Sequence, residues 1–101
     1  MLRYKGVEAD EPEFCRYRIF NDETPADPET LTRIARIAEV LLAENKLEGS
    51  FHVVEPGLLA LDLEKARRGF FHNGIVFAAL DAVNDPVRNP TLTLRAGDSS
   101  V

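Results

Sequence analysis

The segment from Asp27 to Gly49, DPETLTRIARIAEVLLAENKLEG, carries its own start signal, stop signal and buried face. Asp27 is placed to accept hydrogen bonds from the free N–H groups of a first helical turn. Pro28 suits a position that needs no donor, and Glu29 complements the positive end of the helix dipole. Gly49 stands where a left-handed residue ends a helix, with Lys46 near the negative end. Between these signals Leu31, Ile34, Ala35, Ala38, Leu41 and Leu42 recur at intervals of three and four, widened by Ile37 and Val40. Arg33, Arg36, Glu39 and Lys46 fall outside that stripe. Each large aliphatic residue stabilises by roughly 1.5–3 kcal/mol when fully removed from water. The rest of the chain must therefore supply a surface that covers this face.

A chain of 101 residues is expected to make one domain, residues 1–101, with a core small enough that association often supplements it. Its net charge of −5 disfavours sequence-independent binding to nucleic acid or to anionic membrane, which relies on Lys and Arg against phosphate. The single Cys15 excludes an internal disulfide framework, and no apolar run has the length of a membrane span. No secretory leader is legible after Met1, so the expected location is cytoplasmic.

In chain order, residues 1–13 read as a polar arm in which Leu2, Tyr4 and Val7 form at most a short edge strand. Phe14 to Phe20 alternates as a strand, with Cys15, Tyr17 and Ile19 on the core face and Phe14, Arg16, Arg18 and Phe20 on the other. Asn21 to Ala26 is turn chemistry leading into the helix. Ser50 to Glu55 and Leu58 to Leu63 read as two strands joined at Pro56-Gly57. A connection looser than the minimum is expected there, because type II turns match strand twist poorly. Ile75, Val76, Ala79, Leu80 and Val83 are helically spaced. A helix capped by Asn73 and ended by Asp85-Pro86 is favoured over a buried strand at Ile75-Val76-Phe77. Thr91 to Arg95 reads as a last strand and residues 96–101 as a polar tail. The order βαββαβ is that of an α+β two-layer sandwich of ferredoxin-like type, with a four-stranded antiparallel sheet and two helices.

Candidate chemistry concentrates in residues 65–74. Lys65, Arg67, Arg68, Phe70, Phe71, His72 and Asn73 bring cations, aromatic surface, an imidazole and an amide together between Gly69 and Gly74. That set suits a small anionic ligand or an acidic partner segment. His52, in an alternating strand beside Val53 and Val54, reads as a surface residue. Cys15, His52, Glu55 and His72 lack the paired spacing of metal sites, so neither metal nor cofactor is expected. No catalytic set converges, and no phosphate-cradling glycine loop or nucleophile elbow occurs. Phe51, His52 and Tyr17 do not reproduce the stacked aromatic and basic pattern of an RNA-binding sheet.

Residues from Pro28 through Leu80 loosely resemble the opening half of hotdog-fold acyl thioesterases. The matching features are a leading helix, a strand after Gly49, the Glu55-Pro56-Gly57 turn, another strand, and His72-Asn73-Gly74 before an Ala-rich helix. The resemblance implies an enzyme in which His72 and Asn73 lie near a thioester. Asn73 replaces the first glycine of the family's His-Gly-Gly, and no acidic catalytic residue is assigned. The favoured expectation is a small non-enzymatic protein-binding or regulatory module that acts as a homodimer or on a protein partner. A thioesterase, or an anion-binding protein that uses residues 65–74, is the alternative.

Overall fold

The computed structural model describes residues 1–7, 16–62 and 72–93, with the backbone alone described at 4–7, 72 and 73. Its elements are β1 (Leu2–Val7), β2 (Arg16–Asn21), β3 (Thr24–Pro25), α1 (Pro28–Glu44), β4 (Phe51–Glu55), β5 (Leu58–Leu61) and α2 (His72–Asn84). The strands form one five-stranded antiparallel sheet in the order β1-β2-β5-β4, with β3 also paired to β2.

The helix foreseen from Asp27 is α1, and its start is as expected. The Asp27 side chain accepts a hydrogen bond from the Thr30 N–H at 3.2 Å, with Pro28 inside the first turn. Its end is not. Lys46, at φ 57°, takes the left-handed position expected of Gly49. The Lys46 N–H donates to Ala43 O at 3.0 Å and the Leu47 N–H to Leu42 O at 2.8 Å. These two bonds make a Schellman motif, closed by the buried pair Leu42 and Leu47. The apolar partner two residues after Asn45 thus decides where the helix stops, against the intrinsic preference for glycine.

Leu31, Ile34, Ala35, Ile37, Ala38 and Leu42 of α1 are buried. They belong to one core cluster with Leu2 of β1, Tyr17 and Ile19 of β2, Phe51 of β4, Leu59 and Leu61 of β5, and Ile75, Val76, Ala79, Leu80 and Ala82 of α2. Both helices therefore cover the same sheet face. The rings of Tyr17 and Phe51 lie with centroids 6.1 Å apart at 52°, within the range of favourable tilted pairs. Leu58 and Ala60 are buried on the opposite face, where β2 sets Arg18 and Arg16 beside them.

The expected order βαββαβ is corrected at both ends. The first reading of residues 1–13 as an arm fails over Leu2–Val7, which pairs with β2 as an edge strand. The last strand expected at Thr91–Arg95 does not form over residues 91–93, where residues 90–93 make a helical turn. Pro90 in its first position needs no donor, and the Thr93 N–H and Oγ1 both donate to Asn89 O, at 3.2 and 3.1 Å. The edge place that a βαββαβ order assigns to its final strand, beside the first, is taken here by a strand from the other end of the chain.

The connection between β4 and β5 is also tighter than expected. Glu55 pairs with Leu58, so Pro56 and Gly57 alone form the loop, and Gly57 takes φ 82° as a type II turn requires. A register shift between Val53 and Glu55 takes up the twist that such a turn leaves unmatched. Gly57 also closes a three-way junction. The Ile19 N–H donates to Gly57 O at 2.8 Å, the Gly57 N–H to Ala26 O at 2.8 Å, and the Ala26 N–H to Ile19 O at 3.1 Å. A Cβ at Gly57 would lie 2.8 Å from Pro25 Cβ.

Candidate functional site

Of the residues expected to bind an anion, Lys65, Arg67, Arg68, Phe70 and Phe71 lie outside the described residues. His72 and Asn73 are the first two residues of α2. Asn73 is thus one residue inside the helix it was expected to cap. Cys15 lies outside the described residues as well, and His52 is exposed on β4. Among the described residues no three His, Cys, Asp or Glu side chains are grouped to hold a metal ion, and no helix is long and apolar enough to cross a membrane.

A cleft of about 530 Å³ opens between the start of β1, the β2–β3 turn and the start of α1, lined by Leu2, Asn21, Asp22, Thr24, Pro25, Ala26, Asp27 and Thr30. The Asn21, Asp22 and Asp27 side chains of this lining are engaged with the chain itself. The Met1 ammonium donates to Asn21 Oδ1 at 2.9 Å and to Asp22 Oδ1 at 3.4 Å, while Asp27 Oδ1 caps α1. No acid and base face each other across this cleft among the residues that line it. The surface ion pairs at Met1–Asp22 and Asp85–Arg88 are exposed and contribute little.

The two helices differ in what they show to solvent. α1 exposes Glu29, Thr32, Arg33, Ala43 and Glu44, the polar side of an amphipathic helix. α2 exposes Gly74, Phe77, Ala78 and Asp81, which share one face at intervals of three, four and seven. Phe77 is 53% exposed. Around Gly74 the space is open, since an added Cβ would meet no atom within 4 Å. The opposite face of the same helix buries Ile75, Val76, Ala79, Leu80 and Ala82. An apolar residue set that continues around a helix marks burial on more than one side.

The sheet face away from the helices carries Arg3, Arg16, Arg18, His52 and Glu55, with the exposed Val54 and the buried Leu58 and Ala60. The α2 stripe was missed in the sequence because only the spacing of Ile75, Val76, Ala79, Leu80 and Val83 was read, and Phe77 and Ala78 were assigned to no face of the helix. The available signal was the absence of Lys, Arg and Glu between Gly74 and Asn84, where a surface helix of this length normally carries several. Compared with models of protein families, with curated proteins and with solved structures, the chain shows no match.

Proposed function

We propose that this protein is a small protein-binding or regulatory module that acts through the exposed face of α2, as a homodimer or on a protein partner with a matching apolar helix. The observation that carries this reading is Phe77, half exposed on a face whose other members are Gly74, Ala78 and a single charge, Asp81. In a twofold arrangement of two antiparallel α2 helices, position 77 of one copy lies opposite position 74 of the other. Such a face is self-complementary, as a dimer axis demands.

Magnitudes set a condition on this assembly. Burying the exposed half of a Phe side chain contributes on the order of 1 kcal/mol per copy, whereas a micromolar complex needs about 8 kcal/mol. Phe77 is therefore an anchor within a larger contact, which for a stable complex covers roughly 1,200 Å² or more. Small residues at 74 and 78 favour this by letting the helix backbones approach.

The test is size-exclusion chromatography with light scattering across micromolar concentrations. Wild type is expected to run heavier than its 11.3 kDa chain, and Phe77→Glu to run as one chain with unchanged circular dichroism. A wild-type monomer throughout this range removes the dimer. Hydrolysis of acyl-CoA thioesters by wild type, lost in His72→Ala, would replace this reading with the enzymatic one.

A further inference from the structure

The two helices treat their own dipoles differently. A helix is partly positive at its N-terminus and partly negative at its C-terminus, so acidic residues stabilise its first turn and basic ones its last. α1 starts in keeping with this, with Asp27 as its cap and Glu29 in its first turn. α2 departs from it at both ends. Its first turn holds no acidic residue and its last turn no basic one. The sequence has no Asp or Glu anywhere from Lys65 to Leu80, and the first that follows, Asp81, stands in the last turn, where the backbone is already negative.

Asp81 also lies on the face that the proposed assembly uses. It is exposed, seven residues and so about two turns from Gly74 on the line that Phe77 and Ala78 flank. Among the described residues its carboxylate has no hydrogen-bond or ion-pair partner, and Arg88, beyond the helix end, pairs with Asp85 at 3.7 Å. The end of α2 that carries it is tied to the sheet. The Leu2 N–H donates to Asn84 Oδ1 at 2.9 Å and Asn84 Nδ2 donates to Leu2 O at 2.9 Å. At the other end, the open space at Gly74 lets a neighbouring helix come close to a first turn whose N–H groups have no partner within the helix.

We infer, on the reading that α2 is the seat of association, that the occupant of its exposed face is a second copy of the chain set antiparallel, and that Asp81 fixes this direction. With position 77 of one copy opposite position 74 of the other, Asp81 is level with position 70, two residues before the other copy's helix begins at His72. A helical side chain leans toward the N-terminus of its own helix, which in an antiparallel pair carries the carboxylate back toward the other copy's first turn. Each negative last turn then meets a positive first turn that lacks an acid of its own, and the twofold axis makes this contact twice. A parallel pair sets Asp81 beside Asp81 and like end beside like end. An uncharged partner face encloses Asp81 with nothing positive to meet it, which is costly.

Sedimentation equilibrium on the full chain tests this with wild type, Phe77→Glu, Asp81→Asn and Asp81→Lys, each at low and at physiological salt. Asp81→Asn is expected to weaken the dimer by about tenfold and Asp81→Lys by about a hundredfold, since the second turns each attraction into a repulsion. The gap between wild type and Asp81→Asn is expected to narrow as salt rises. Denaturation in the monomeric Phe77→Glu background separates association from folding. There Asp81→Lys is expected to stabilise the chain slightly, because a cation suits the last turn, and destabilisation would overturn the dipole argument. Equal dimer strength in wild type and Asp81→Asn overturns the role of Asp81, and dissociation by Phe77→Glu in the same series shows that the α2 reading survives. A wild-type monomer, or a dimer indifferent to Phe77→Glu, overturns the α2 dimer and the second copy with it, leaving a different protein as the occupant.

Discussion

Lys46 and Gly57 both hold positive φ, one against its residue type and one in keeping with it. Lys46→Gly is expected to raise stability by about 1 kcal/mol, because it removes the left-handed penalty of a side chain while leaving the Leu42 and Leu47 contact intact. Chemical denaturation checks it, and a loss of stability would show that the lysine contributes more than its backbone. Gly57→Ala is expected to cost about 2 kcal/mol or more, since the new methyl combines positive φ with an approach of 2.8 Å to Pro25 Cβ. Thermal denaturation reads this as a lower Tm. Gly57 was legible as a turn residue from the Pro-Gly pair. Its part in joining Ile19 and Ala26 was not, because that junction unites three stretches distant in sequence. The helix stop was misread for a related reason: a glycine is a local signal, whereas the docking of Leu47 into the core is a tertiary one that overrides it.

At the scale of elements, the start and buried stripe of α1 were legible because cap, proline and periodicity all agree on one helix. Asp27→Ala is expected to cost about 1 kcal/mol, the usual worth of an N-cap, with α1 otherwise retained. Guanidinium titration with an unchanged slope would bear that out, and a neutral effect would mean that another acceptor serves the Thr30 N–H. Ile37→Ala is expected to cost more, about 2–5 kcal/mol, because this fully buried side chain leaves a cavity at the centre of the helix face. The strands were read in place at β2, β4 and β5, where alternation or β-branched residues mark them. β1 was undervalued because its stability comes from pairing with β2 and from Asn84, neither visible in six residues of mixed composition. Residues 91–93 were misread because Thr-Leu-Thr has strand propensity, while Pro90 and the Asn89 carbonyl set a helical turn.

For the molecule as a whole, the described residues place two helices on one face of a five-stranded antiparallel sheet around one core. The α+β class was legible from the alternation of strand and helix patterns. The order of the strands was not, since the same sheet is reached whether an edge strand comes from the start or the end of the chain. Most of the anion-binding set expected at residues 65–73 falls outside the described residues, so the proposal rests on α2 rather than on that loop. Isotope-filtered NMR on an equal mixture of labelled and unlabelled chains tests α2 most directly. Contacts between the Phe77 ring of one chain and the Gly74 or Ala78 protons of the other are predicted. Contacts between chains confined to other surfaces, or none at concentrations up to the millimolar range, would contradict the proposed role of α2 as the seat of self-association.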